Sequence, residues 1–294
     1  MGTGFPGRKG GAHKIASGGA GPENPLINRM SEPAPAKIAG LYRYPVKGLT
    51  PEPLQSTLLK PGQTLLADRR YAIENGPSGF NPAEPAWLSK PHFLMLMRDE
   101  WLAGLRTHFD DATNVLTIHH NGRVAAQGDL ETAQGRAAIE SFFATVFAAE
   151  IKGPPKVLSS RGHSFSDVAR KVVSIINLAS VAAIEGIVGR PVDPLRFRGN
   201  LYVEGWPAWA ENGWTGKDMM LGWARARVFK PIVRCAAPDV DPTTAERDLE
   251  ITKALFDNYG HLHCGIYVQV TAAGAVGLGD AATAPEAQTQ DVPA

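Results

Sequence analysis

Hydrophobic and polar side chains alternate along several short stretches of the chain, and this period of two predicts β-strands. Residues 37–44 and 265–270 show the alternation most clearly. An Asn-Gly pair separates residues 115–119 from 123–127, and this dipeptide between two apolar segments predicts a β-hairpin. Apolar runs predict further strands at 54–59, 65–73, 93–97, 171–176, 198–203 and 276–278, and two strands that flank Leu221-Gly222 and run to residue 230.

A period near 3.6 residues predicts three helices, at residues 132–147, 178–188 and about 249–257. Asn177 directly precedes the second helix, where a side-chain oxygen can cap free backbone N–H groups. Many short strands with three helices predict the α+β class, mainly β. We expect an N-terminal β-barrel-like domain and a second β-barrel with attached helices.

The chain of 294 residues is long enough for two domains. Residues 1–34 are rich in Gly, Pro and basic side chains, and we expect a disordered tail or a segment left from cloning. Gly153-Pro154-Pro155 predicts a boundary between a first domain at 35–152 and a second at 153–281. Residues 282–294 are predicted to form a second disordered tail.

The near-neutral charge of the chain argues against nucleic acid and anionic membranes as partners. Hydrophobic residues make up 44% of the chain and the net charge is +1, so no overall field attracts nucleic acid or an anionic membrane. No apolar run is long enough to predict a membrane span. Two cysteines cannot build a disulfide framework, and a reducing, cytoplasmic location is expected.

Cys235 is the candidate reactive residue. It follows a predicted buried strand and a bend marked by Pro231, and the next segment contains two more prolines. Arg234 lies beside it in sequence, and a neighbouring cation favours thiolate, the form that attacks electrophiles or binds soft metals. The alternative is a buried, inert cysteine, which is the commoner role of a free thiol.

Several polar residues at strand ends and at one helix start could bind an anion together with Cys235. If they converge, they form a polyanion pocket that contains a thiolate. Taken singly, each can be a surface ion-pair residue or an ordinary helix cap. The candidates are Lys47, Gly48, Arg69, Asn177, Ser180, Arg198, Asn200 and Arg234.

Two histidines near the second cysteine allow a weaker hypothesis. His261 and His263 share a strand face beside Cys264, and a zinc site is one interpretation. Polar packing is favoured over zinc, because no further Cys or paired His supports a site. The chain has no P-loop, G-x-S-x-G or dinucleotide-binding motif, and no cysteine cluster for a plant-type iron–sulfur centre.

An ordered set of motifs resembles the MOSC domain. The F-R-P-N signature corresponds to Phe197-Arg198-Gly199-Asn200, and the Arg-Cys pair to Arg234-Cys235 followed by residues 240–244. The resemblance extends to residues 211–214 with 221–222, and to 277–280. Upstream, residues 42–48 and 66–71 look like the N-terminal β-barrel that precedes such domains. The resemblance covers about 35–281, and the architecture is similar to that of amidoxime-reducing molybdenum enzymes.

The resemblance implies an oxidoreductase that uses molybdenum–molybdopterin to reduce N-hydroxylated or related oxygenated small molecules. Cys235 would be the metal ligand and catalytic residue. Electrons would come from a separate ferredoxin- or cytochrome b5-like protein with its reductase. We expect neither the membrane anchor nor the fused ferredoxin domain of some relatives. The implied cofactor-binding residues are Lys47, Gly48, Arg69, Asn177, Ser180, Arg198, Asn200 and Arg234.

The sequence departs from the family pattern at two positions. Two other functions also remain open. Gly199 stands where the signature has proline, and Gly48 stands where relatives often carry serine. The chain could instead transfer sulfur as a persulfide on Cys235, as the MOSC domains of cofactor sulfurases suggest. It could also be a non-catalytic carrier of the molybdenum cofactor. A classification in the pyridoxal-phosphate-binding superfamily also stays open.

Overall fold

The computed structural model describes residues 35–285. The predicted tail at 1–34, and residues 286–294 of the second tail, lie outside the described residues. Three α-helices form in the described part: α1 (Ala133–Val146), α2 (Leu178–Val188) and α3 (Ile251–Tyr259). Its strands are β1 (Lys37–Arg43), β2 (Glu52–Pro53), β3 (Ser56–Leu59), β4 (Ala72–Asn75), β5 (Arg106–Asp110), β6 (Val115–His120), β7 (Arg123–Asp129), β8 (Pro155–Leu158), β9 (Val173–Asn177), β10 (Leu201–Glu204), β11 (Asp218–Leu221), β12 (Ala224–Val233), β13 (His263–Ala272), β14 (Gly274–Gly277) and β15 (Ala282–Thr283).

The largest sheet joins the two halves of the sequence. Its eight strands run in the order β15-β11-β12-β13-β9-β10-β1-β2. Strands β9 and β10 are parallel, whereas β1 pairs antiparallel with β10. Ile38 and Leu41 of β1 pack among the apolar side chains of the C-terminal strands. The predicted α+β, mainly β fold is confirmed, and the first strand completes the sheet of the second half.

The N-terminal half has its own core beside that sheet. Strands β5, β6 and β7 form an antiparallel sheet, and the β6–β7 turn holds Asn121 and Gly122 at φ 51° and 74°. This left-handed pair makes the predicted hairpin. Helix α1 buries Ile139 and Phe143 against the same core. Because β8 pairs with β4, the chain leaves this half only after residue 158.

The predicted bounds of helix α2, residues 178–188, are confirmed. The residues at its two ends explain where it begins and ends. The Asn177 side chain accepts a hydrogen bond from the Ala179 N–H, and Gly189 ends the helix at φ 68°. In the described residues 35–285, no helix has the length and apolar character needed to cross a lipid bilayer.

Three local predictions are wrong. Residues 65–70 form turns, since Ala67 and Arg69 have φ values of 60° and 50°, outside the strand region. Arg198 also has a φ of 50°, so β10 begins at Leu201 and not at 198. Residues 93–97 make one isolated β-bridge and then a turn.

The strand before Cys235 and the C-terminal tail also differ from expectation. Strand β12 continues through Pro231 to Val233, and irregularities of register beside the proline accommodate its missing N–H. Ala282 and Thr283 were expected in a disordered tail, but they pair with Leu221 and Met220 as strand β15.

Candidate functional site

An open cleft lies where loops from both halves of the sequence meet the end of β12. It encloses about 750 Å³ of empty space, counting its mouth. Its walls include the predicted residues Lys47, Gly48, Arg69, Arg198, Asn200, Arg234 and Cys235.

The cleft carries a net positive charge. Five cationic side chains line it against two carboxylates, Asp68 and Asp167, an excess of three positive charges. This local field contrasts with a net charge of +1 for the whole chain. A dianionic group such as a phosphate monoester matches such a wall.

Cys235 contacts a cation that sequence reasoning missed. Lys90 Nζ lies 3.8 Å from Cys235 Sγ and 2.9 Å from an Asp167 oxygen. Burial lowers the pKa of Lys90, but Asp167 and Cys235 outweigh it, so the net shift is upward and the ammonium stays charged. Lys90 therefore places a positive charge beside the sulfur.

Lys47 shares the other oxygen of the same carboxylate. Its Nζ lies 2.6 Å from Asp167 Oδ1 and donates to the Phe165 carbonyl at 2.9 Å. Burial lowers the pKa of Lys47, with Asp167 opposing that shift. Desolvation raises the pKa of Asp167, but the two lysines outweigh it and hold that pKa well below its usual range.

Two arginines stand over one buried tyrosine. The guanidinium carbons of Arg69 and Arg198 lie 4.5 Å and 4.3 Å from the centre of the Tyr44 ring. Arg69 donates to Asp68 at 2.6 Å, and Arg198 donates to the Leu49 carbonyl at 2.8 Å. Tyr44 fixes where both cations stand at the cleft wall.

Their pKa values shift in opposite directions. Burial lowers the pKa of Arg69, but Asp68 outweighs it and the net shift is upward. Burial is also the largest influence on Arg198, and its pKa is lowered. Both arginines have a φ of 50°, a conformation that costs roughly 1–3 kcal/mol for a non-glycine residue. Such strain clusters at functional sites.

Asn200 and Arg234 reach the cleft as predicted, yet both are held by the protein itself. The Asn200 amide accepts from the N–H and hydroxyl of Ser174 and donates to Asp68 and the Tyr42 carbonyl. Arg234 donates to the carbonyls of Cys264 and Phe197, each at 2.8 Å. These two residues shape the wall of the cleft.

Asn177 and Ser180 do not reach the cleft, and the phosphate-binding role expected of them is corrected. Both are fully buried at the start of α2, where Glu211 already supplies a carboxylate. Asn177 Nδ2 lies 2.7 Å from Glu211 Oε2, and Ser180 Oγ lies 2.8 Å from Oε1. A protein anion thus occupies the place predicted for a phosphate.

The two glycines that depart from the family pattern fit their surroundings closely. Gly48 has a φ of 84°, and a Cβ there would lie 3.0 Å from the Leu94 carbonyl oxygen. A Cβ on Gly199 would lie 2.4 Å from the Ile176 side chain. Packing in this chain therefore favours glycine at both positions.

The zinc hypothesis gains no support. The rings of His261 and His263 stack with centroids 5.3 Å apart. Among residues 35–285, no group of three His, Cys, Asp or Glu side chains is arranged to hold a metal ion. Cys264 is fully buried, and burial raises the pKa of its thiol to about 12.

Two crystal structures resemble parts of this chain. The YUAD protein from Bacillus subtilis is 15% identical, with a TM-score of 0.39, over 83% of this chain and 92% of its own. The YiiM protein from Geobacillus stearothermophilus is 19% identical, with a TM-score of 0.32, over 39% of this chain and 54% of its own. No curated protein sequence matches the chain.

Family models cover almost all of the described residues. Residues 35–155 match the MOSC N-terminal beta barrel domain. Residues 160–283 match the MOSC domain. The two matches are consecutive, and the cleft is lined from both. The chain therefore belongs to the MOSC-domain proteins that carry an N-terminal MOSC β-barrel domain.

Proposed function

We propose that the cleft binds the molybdenum–molybdopterin cofactor and that Cys235 ligates the metal. MOSC is a family that binds this cofactor. The residues present fit it in two ways. The wall has an excess of three positive charges for a terminal phosphate, from five cations and two carboxylates. Cys235 supplies the soft thiolate that molybdenum prefers, beside the ammonium of Lys90.

Three cations are the proposed phosphate ligands: Lys47, Arg69 and Arg198. Each is at least partly buried and lines the cleft, and Gly48 adds a backbone N–H beside Lys47. Asn200 and Arg234 hold the wall in place through their internal hydrogen bonds. Lys90 holds a proton beside Cys235 Sγ and balances the charge of the thiolate.

The proposed reaction is reduction of an N–O group in a small molecule. An amidoxime takes up two electrons and two protons, the N–O bond breaks, and the products are the amidine and water. The bound cofactor supplies the two-electron, oxygen-accepting chemistry. The electrons come from a separate ferredoxin- or cytochrome b5-like protein with its reductase.

The observation that carries the proposal is the meeting of Cys235 with cations from distant parts of the chain in one cleft. The test is metal analysis of protein made in a molybdenum-competent host, followed by amidoxime reduction with a reduced dye as donor. We expect molybdenum near one per chain together with turnover. Molybdenum without turnover would indicate a carrier, and cyanide-labile sulfur on Cys235 without metal would indicate sulfur transfer.

A further inference from the structure

A second cavity adjoins the cleft and differs from it in chemistry. It encloses about 980 Å³ of empty space, counting its mouth. Most of the residues that line it are apolar, and they come from both halves of the sequence. The apolar side chains include Leu49, Pro51, Leu102, Leu105, Leu195 and Val240.

The cavity and the cleft share a wall. Gly48, Leu96, Arg198 and Ala237 line both spaces. Ala237 is two residues after Cys235, so the apolar cavity begins close to the reactive sulfur. Arg198 is fixed in this wall by its hydrogen bond to the Leu49 carbonyl, at 2.8 Å. A molecule seated in the cavity would extend toward the cleft past Leu96 and Ala237.

Each of the four charged side chains at the cavity makes at least one hydrogen bond within the protein; they are Arg106, Asp193, Arg196 and Arg198. Arg196 pairs with Asp241 at 2.8 Å and with Asp248 at 2.9 Å. Arg106 donates to carbonyls on both sides of the cavity, including that of Thr243 at 3.2 Å. The walls therefore suit a neutral, apolar group better than an ion.

Hydrogen bonds between the two halves of the sequence border the cavity. Arg106 ties the end of a short 3₁₀ helix, Glu100–Gly104, to the loop that contains Thr243. Arg247 donates to the Met97 carbonyl at 2.8 Å and so anchors the other end of that loop. A pre-formed cavity lowers the cost of ordering a ligand.

We propose that this cavity receives the apolar body of the substrate, an aryl or larger alkyl group, while its N–O end reaches toward Cys235. This inference rests on the proposed reductase function and narrows its substrate class to neutral, hydrophobic N-oxygenated compounds. Burial of the apolar body supplies binding energy, and the shared wall sets the direction of the reactive end.

Calorimetric titration of the purified full chain with two amidoximes tests the inference. Benzamidoxime carries an aryl group, and acetamidoxime carries only a methyl group at the same position. Because a single methylene in an apolar pocket changes affinity by roughly tenfold or more, benzamidoxime should bind at least about tenfold more tightly. The measurement needs no molybdenum, so its outcome is independent of cofactor loading.

Variants locate the binding. Ala103→Trp fills the cavity from its wall, and Thr243→Trp does so from the opposite side in case the first variant fails to fold. Each should remove the preference for benzamidoxime and raise its KM in the loaded enzyme. Ala144→Trp, on the exposed face of α1, is the control and should keep the preference. Equal binding of both amidoximes, or a preference that survives both cavity variants, overturns the inference. Absence of molybdenum with the preference retained would overturn only the reductase function.

Discussion

Two polar clusters of this chain suggest the same anion-binding role from sequence and differ in structure. The cleft cluster is Lys47, Arg69 and Arg198, and the Glu211 cluster is Asn177, Ser180 and Glu211. In the Glu211 cluster the carboxylate accepts one hydrogen bond on each oxygen, and all three residues are fully buried. The cleft cluster faces open space, in a wall where cations outnumber carboxylates by five to two.

The difference separates polar groups enclosed within the protein from polar groups that line a space open to a ligand. A helix N-terminus and a strand-end cation both favour anions, so residue type alone gives the same hypothesis for both clusters. Only the wall of the cleft as a whole leaves positive charge unbalanced, with five cations against two carboxylates. Mutations in the Glu211 cluster should therefore affect folding, and mutations in the cleft cluster should affect cofactor retention.

The largest stability effect is expected for Glu211→Ala. It leaves the Asn177 amide and the Ser180 hydroxyl without their buried acceptor, which should cost about 3 kcal/mol in the free energy of unfolding. Denaturant unfolding measures this loss. Glu250→Ala, at a side chain that is 77% exposed, is the matched control and should cost about 0.5 kcal/mol or less. A normal stability with lost molybdenum would assign Glu211 to the cofactor site instead.

Arg198→Ala should lower cofactor retention without unfolding the protein. Loss of one charge-assisted contact to phosphate corresponds to roughly 1.5–3 kcal/mol, about a ten- to hundredfold loss of affinity. Molybdenum content after dialysis reports it, and Arg198→Lys should retain more than the alanine variant. Arg227→Ala removes an arginine that pairs with Asp218 on the surface and serves as control. Full molybdenum content in Arg198→Ala would remove this residue from the site.

The smallest effect is expected at Tyr44, which positions two arginines without reaching the ligand itself. Tyr44→Phe keeps the ring beneath both guanidiniums and loses only a hydroxyl that contacts the Gly199 carbonyl at 3.2 Å. It should cost about 1 kcal/mol of stability and leave molybdenum content unchanged. Tyr44→Leu removes the ring that both guanidiniums contact, and it should therefore lower molybdenum content as well as stability. Equal molybdenum in both variants would show that the ring does not position Arg69 and Arg198.

The parts of the fold with local signals were predictable from sequence. Helix α2 has a capping asparagine and a terminating glycine, and the Asn121-Gly122 turn requires left-handed backbone that this pair adopts readily. Arg69 and Arg198 were placed in strands because apolar neighbours surround them. Both have left-handed backbone, and both guanidiniums lie over the ring of Tyr44, a tertiary contact that no local pattern reveals.

The site was predicted in part for the same reason. Cys235 and the cations of the family motifs follow predicted strands, so the sequence alone indicates them as candidates. Lys90 and Asp167 lie outside regular strands, and their importance arises from a convergence that sequence spacing does not encode. Asn177 and Ser180 are predicted to bind phosphate because the sequence does not show that they contact Glu211. That partner follows more than thirty residues later in the chain.

The most direct test of the cofactor site compares the two cysteines by molybdenum content. Cys235 lines the cationic cleft, whereas Cys264 is fully buried with its pKa raised to about 12 by burial. Cys235→Ser replaces a soft ligand by a hard one and should abolish molybdenum retention and amidoxime turnover. Cys264→Ser should retain both and lose about 1–2 kcal/mol of stability. Full metal and turnover in Cys235→Ser, with their loss in Cys264→Ser, would contradict the assignment of the site to Cys235.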